Sequence, residues 1–251
     1  FSPDGKLIVA SSREDYEVKI VSAIEDRELA KFNHSVLPSN KASESPRIYL
    51  SSNWRALVSV VDDQLLVFDT HQMSLGGEVR LRETCHKEVF EDGCFYINIH
   101  PSSDGRLVFI SDGASFMVFD LDKKELVYSN KNLRNHKIDL SPDEEFVVLS
   151  TKTLDGKINS VLILSTKEFT EIKSKIFSDR FINGVTFSPD SRLFITRSYD
   201  GRGHVFDLRK KKIVDTIRMK DWINNIAFSK DGKLVFLSSW ENVKIYDLEL
   251  K

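Results

Sequence analysis

At 251 residues, with 41% apolar and 29% charged side chains, the chain has the balance of a folded globular protein and could build one large domain or two small ones. Seventeen Phe within a 10% aromatic content argue against disorder, and no apolar run reaches bilayer-spanning length. The 36 basic and 38 acidic residues leave a net charge of -2, so bulk charge makes no case for nucleic acid or an acidic membrane, and two cysteines suffice neither for a disulfide framework nor for a four-thiolate zinc site.

The chain reads as one pattern repeated six times. The first copy, about residues 1–32, opens on FSPDGKLIVASS, passes through Ile20-Val21-Ser22 and a charged turn AIEDRE, and closes on ELAKF. The second, 47–83, reads YLSSNWRALVSVVDD with Asn53-Trp54-Arg55 in place of Pro-Asp-Gly, then QLLVFD ending at Phe68-Asp69. The third, 95–129, carries HPSSDGRLVFISD, Phe119-Asp120 and LDKKELVYS, while the fourth, 136–173, carries LSPDEEFVVLST and Leu162-Ile163-Leu164. The fifth, 183–218, runs NGVTFSPDSRLFITRS, Phe206-Asp207 and LRKKKIVDTI; the sixth, 224–251, runs NNIAFSKDGKLVFLSS to Tyr246-Asp247. Residues 78–92 are the only stretch with room for a short helix.

The spacing inside a copy is nearly constant: Asp104 to Asp120 is 16 residues, Asp190 to Asp207 is 17, and Asp231 to Asp247 is 16. Each copy parses into four strands. The first is half-apolar and ends in the turn, where Pro presets φ, Asp bonds the local backbone and Gly accepts positive φ. The second is continuously apolar, as expected of a strand covered on both faces. The third ends in the aromatic-Asp pair, and the fourth is amphipathic. Such copies are expected to form an all-β fold, a β-propeller of four-stranded antiparallel blades, each burying its faces against its neighbours. A β-sandwich explains the strand count but not the repeated order of turns.

The Ser-Pro-Asp-Gly turns and the pairs Phe68-Asp69, Phe119-Asp120, Phe206-Asp207 and Tyr246-Asp247, standing where Trp-Asp would stand, resemble the WD-repeat β-propellers over nearly the whole chain. The sequence departs from that family in having no Trp-Asp dipeptide and no Gly-His pair before the inner strands. The family's buried Asp-His-Ser/Thr-Trp network therefore does not map as a set onto any blade. The first copy lacks an inner strand and the last an outer one. An excerpt of a longer, seven-bladed parent is expected.

No phosphate-cradling GxGxxG or GxxxxGK[ST], no HExxH and no GxSxG is present. Cys85, His86, Cys94 and His100 fit no common metal spacing and read as structural thiols and surface imidazoles. Neither enzyme chemistry nor a metal or other cofactor is expected. Arg209-Lys210-Lys211-Lys212 and Lys123-Lys124 read as solvated turns, which leaves nucleic-acid binding weakly supported.

What differs between blades points to a partner. The loops entering the inner strands carry Arg180, Phe181, Asp221, Trp222, Phe95 and Arg134, and those between second and third strands carry Tyr199, Arg202 and Trp240. Alternating strand direction puts both sets on one rim, and aromatics with arginines are the residues of interface hot spots. Phe181, Trp222 and Phe95 share one alignment position and equally suit plugs between blades. Trp54, on the opposite rim, marks a second contact or covers its own blade.

The leading expectation is a non-catalytic scaffold binding a protein or peptide over this rim, within a multiprotein complex in the cytoplasm or nucleus, with no membrane insertion. Two alternatives stay open: an accessory propeller of a larger enzyme such as a peptidase or modification enzyme, and a reader of a modified residue or a subunit of a nucleic-acid-associated complex. For the reader, Trp222, Trp240, Asp221 and Glu241 supply rings and carboxylates.

Overall fold

The computed structural model describes residues 1–12, 14–34, 46–61, 63–81, 97–113, 115–130, 134–152, 159–178 and 182–248. The fold is all-β as expected, with six antiparallel sheets of three or four strands, the blades of a propeller. The chain divides into two compact units, one of residues 1–95, 99–112 and 117–129, the other of 96–98, 113–116 and 130–251.

In the first unit, β1 (Leu7–Ser11), β2 (Glu17–Ser22) and β3 (Arg27–Asn33) form one sheet, and β4 (Arg47–Leu50), β5 (Ala56–Val61), β6 (Gln64–Asp69) and β7 (Ser74–Arg80) a second. The third sheet orders β8 (Asn98–Pro101), β9 (Leu107–Ser111), β10 (Phe116–Asp120) and β11 (Glu125–Asn130). The allowance for a helix at 78–92 starts on a strand, since Glu78–Arg80 complete β7; residues 82–92 lie outside the described ones.

The second unit holds three sheets. One is β12 (Arg134–Leu140), β13 (Phe146–Lys152), β14 (Asn159–Ser165) and β15 (Glu171–Ser178). The next is β16 (Ile182–Phe187), β17 (Leu193–Ser198), β18 (Arg202–Asp207) and β19 (Lys212–Arg218), followed by β20 (Asn225–Phe228), β21 (Leu234–Ser238) and β22 (Val243–Asp247).

The continuous apolar runs have a period-two explanation. On β17, Phe194 joins Phe206, Val148, Val161 and Ile163 in one core cluster, while its neighbour Ile195 joins Val205, Val235 and Leu237 in another. Successive side chains on this strand thus face different neighbouring blades. In the first unit, Val18 and Ile20 pack on Leu57 and Phe68, with Phe32 stacked on Phe68 at 4.6 Å.

The turns repeat atom for atom. Ser2, Ser102, Ser141, Ser188 and Ser229 each donate a hydroxyl to the Asp two residues on, at 2.6 Å. Each serine oxygen then accepts the N–H five residues on, at 2.9 or 3.0 Å. The degenerate copy keeps the device with Ser51 on Asn53 at 2.7 Å, and Trp54 takes the left-handed conformation (φ +63°) that Gly5, Gly105 and Gly232 take elsewhere. These bonds hold Asp4 and Asp231 below the ordinary carboxylate range: the serine hydroxyl contributes most and the Lys6 or Lys233 amide adds to it.

Three of the third-strand aspartates, Asp69, Asp120 and Asp207, are buried and doubly used. Asp69 and Asp120 each cap the next turn by accepting two backbone N–H groups. Their second oxygens meet Arg55 at 3.3 Å and Arg106 at 3.1 Å, as Asp207 meets Arg192 at 3.0 Å. Burial alone would raise the Asp207 carboxyl; the Lys210 amide and Arg192 outweigh it and lower it. In the fourth blade the polarity reverses, with Glu145 at the arginine position bonded to Lys167 at 2.7 Å.

His34, just after β3, and Ser59 on β5, both buried, share a 2.8 Å hydrogen bond, so two residue types of the network unassigned in the sequence do meet, between the first sheet and the second. Burial lowers the His34 pKa from 6.5, while a Gln64 hydrogen bond opposes the shift. The unfolded chain then binds a proton near pH 6.5 that the folded chain refuses, so stability falls as pH drops below that value. His34→Asn is expected to flatten the fall between about pH 6.5 and 5; denaturant midpoints of both proteins across that window check it. An unchanged slope would show that His34 carries none of it.

Candidate functional site

The fifth and sixth blades hold the described part of the expected partner surface. Tyr199 and Asp200 fill the turn between β17 and β18, and Met219 to Asn224 lead from β19 to β20. Backbone bonds clamp these loops together: Met219 N–H donates to Gly201 O at 2.8 Å, Ile223 N–H to Ser198 O at 3.3 Å, and Asn224 N–H to Ser238 O at 2.8 Å. Ile223 is fully buried between the blades and anchors the loop through its side chain.

Gly201 decides whether the loops can close. Its φ is +76°, and a Cβ there would stand 2.7 Å from Met219 O and 2.9 Å from Asp221 O. Gly201 ends the hairpin turn that Tyr199 and Asp200 begin, with Arg202 and Gly203 already on β18, and it also makes room for the neighbouring loop. Gly201→Ala is expected to cost about 1–3 kcal/mol of stability through strain and contact. A urea titration followed by tryptophan fluorescence measures this, and a loss below about 0.5 kcal/mol would contradict the close approach.

On this frame Tyr199 and Trp222 stack, with ring centroids 4.8 Å apart and planes inclined by 27°. Trp222 remains 47% exposed, so it is neither a buried plug between blades nor a free side chain. Trp240 occupies the β21–β22 turn, closed by Ser239 N–H on Asn242 O at 2.8 Å, and is 77% exposed. Asp221 is half-buried, while Arg202 and Glu241 are exposed. Arg202 opens β18, its N–H on Asp200 Oδ1 at 2.8 Å. Exposed Val243 and Ile245 continue from Trp240 along β22.

Arg134 begins β12 opposite Lys152. Its side chain, and all of Phe95, Arg180 and Phe181, lie outside the described residues. So do Cys85, His86 and Cys94, whereas His100 is exposed on β8. Arg209 to Lys212 form the exposed β18–β19 turn, with the Lys210 N–H on Asp207 Oδ1 at 2.9 Å. Trp54 is half-buried, and its carbonyl accepts from Thr70. The reading from sequence missed the Tyr199–Trp222 stack, because nothing in the spacing of residues 199 and 222 announces which loops touch.

Among the described residues no grouping of His, Cys, Asp and Glu could hold a metal ion, and no helix is long and apolar enough to cross a membrane.

Comparison with known proteins places these features. Over 71 residues, 28% of its length, the chain is 34% identical to the small ribosomal subunit protein RACK1 of Caenorhabditis elegans, and the match spans only 22% of that relative. Among solved structures it is similar to a chain of Kuenenia stuttgartiensis hydrazine synthase, with a TM-score of 0.58 at 16% identity, over 99% of this chain and 75% of the other; that likeness concerns the fold alone. Residues 172–207, from β15 to the end of β18, match the family model described as WD domain, G-beta repeat. That repeat, set among six antiparallel sheets built on one recurring turn, is that of a divergent WD40-like propeller.

Proposed function

We propose that the chain is a non-catalytic interaction scaffold that binds a protein or peptide partner against the loops carrying Tyr199, Asp221, Trp222 and Trp240. The observation that carries this reading is that two tryptophans stay exposed on loops which backbone hydrogen bonds hold in place. A large apolar ring in water is unfavourable by itself, and rigid aromatics cost little conformational entropy when a partner covers them. Trp222 is further preorganised by its stack on Tyr199. Asp221 and Arg202 supply charges beside the rings that can set register and steer association.

The chemistry of a recognition surface fits this reading better than a phosphate-tracking groove does. The basic residues at 209–212 sit in one tight turn, and a nucleic-acid backbone needs cations spread along its length. Membership in a larger assembly accords with the relative named as a small ribosomal subunit protein, although the shared segment is a small part of that protein.

The test is quantitative capture from lysate by the wild type and by a Trp222→Ala, Trp240→Ala double variant, followed by direct titration of each purified, identified candidate. Loss of binding by a folded double variant supports the scaffold; equal affinity moves the partner surface elsewhere.

A further inference from the structure

The fifth blade departs from the others at two positions that meet in space. Nine residues beyond the turn serine, the other blades place Ser11, Val60, Ser111, Ser150 and Ser238; the fifth places Arg197. Four residues before that serine, the others place Arg47, Asn98, Lys137 or Asn225, all with polar side chains; the fifth places Gly184. Gly184 has φ +127° and lies where the β16–β17 register slips between Ile182 and Val185. This is the geometry of a β-bulge, which re-aims nearby side chains.

Three side chains converge over the bare glycine backbone. A Cβ on Gly184 would stand 2.7 Å from Arg197 Nη2, 3.2 Å from Lys137 Cδ and 3.3 Å from Asp139 Oδ2. Asp139 is already engaged, accepting the Val185 N–H at 3.0 Å. Arg197 Nε is buried and has no hydrogen-bond partner. Arg55, Arg106 and Arg192, by contrast, each hold a buried carboxylate. A buried donor without an acceptor costs about 1–3 kcal/mol, and native folds rarely keep one without use for it.

We propose that Arg197 and Lys137, over Gly184, form a binding site for an oxyanion, either a carboxylate or a phosphate group of a ligand. The guanidinium is a planar fork matched to two oxygens, and the lysine adds a second positive charge from the adjacent inner strand. Glycine at 184 keeps the space above the bulge clear, where any side chain would collide with Arg197. The proposal does not rest on the tryptophan surface, since none of its residues belongs to it.

The test follows the Arg197 Nε–H resonance by NMR in the isotope-labelled chain, during separate titrations with inorganic phosphate and with acetate at constant ionic strength. The expected result is a saturable downfield shift with at least one of them; which anion binds more tightly tells a phosphate ligand from a carboxylate one. Arg197→Gln is expected to weaken anion binding, followed on nearby backbone amides, by about tenfold or more. Lys137→Gln should weaken it about fivefold, and Arg209→Gln should leave it unchanged. In anion-free buffer Arg197→Gln should melt no lower than the wild type, because it removes a buried N–H donor that has no acceptor; a guanidinium serving only to fill the bulge would lower the melting temperature instead. The proposal is overturned if neither anion gives saturation, if Arg197→Gln binds as the wild type does, or if it melts well below it. Should Arg197→Gln not fold, Lys137→Gln decides, and unchanged affinity there overturns the site.

Discussion

Phe194→Ala is expected to destabilise the chain by about 3–5 kcal/mol. Phe194 is fully buried, stacked on Phe206 at 5.0 Å and edge-on to Phe187 at 5.7 Å. The same cluster holds Val148 and Val161 of the preceding sheet, so the cavity would open between two blades rather than inside one. Sheets held by hydrogen bonds within themselves cannot slide together to refill such a gap, which puts the cost at the upper part of the range. Domain stabilities are only about 5–15 kcal/mol, so the variant should lose roughly 6–20 °C of melting temperature. Denaturant titration against the wild type measures the loss. A change below about 1 kcal/mol would mean that the packing between these sheets is not a principal source of stability.

Truncation of Trp222 and of Trp240 should separate binding from folding. If the proposed surface is used, each change to alanine is expected to cost at least about 2 kcal/mol of partner affinity, roughly thirtyfold in Kd. Their effects on stability should differ. Trp222 loses its stack on Tyr199 and about 0.5–1.5 kcal/mol, whereas Trp240, mostly exposed in a short turn, should change stability by no more than about 0.5 kcal/mol. Calorimetric titration with a purified partner, beside a melt of each variant, gives both readings. Arg209→Gln, in the solvated turn, is the control that should alter neither. A Trp240→Ala protein that binds normally would remove that turn from the surface and leave Trp222 to be judged alone.

The repeat carried most of the architecture because every blade solves the same local problem with the same atoms. Ser188 and Asp190 close their turn within two residues, and Phe194 and Ile195 alternate over successive positions. These are short-range facts that a linear pattern preserves. The arginine partners of the buried aspartates are written in the sequence too, since Arg55, Arg106 and Arg192 each follow their turn serine by four residues, but only the structure pairs them with the carboxylates. Of the residues expected at the partner surface, the structure brings Tyr199 and Trp222 together and leaves Trp240 exposed, while Phe95, Arg180 and Phe181 fall outside the described residues.

By itself, then, the sequence determined the all-β class, the strand order within a blade, the turn chemistry and the loops that vary. All of these depend on residue type and spacing along a few positions. Only the tertiary structure decided which varying residues meet. Tyr199 reaches Trp222 across two loops, His34 reaches Ser59 across 25 residues, and Lys137 reaches the space over Gly184 from another sheet. The physical reason lies in the two kinds of interaction. Turn bonds and strand periodicity act over neighbours in the chain and repeat with it. Contacts between blades depend on how sheets pack face to face, where one glycine or one bulge sets which side chains share a space.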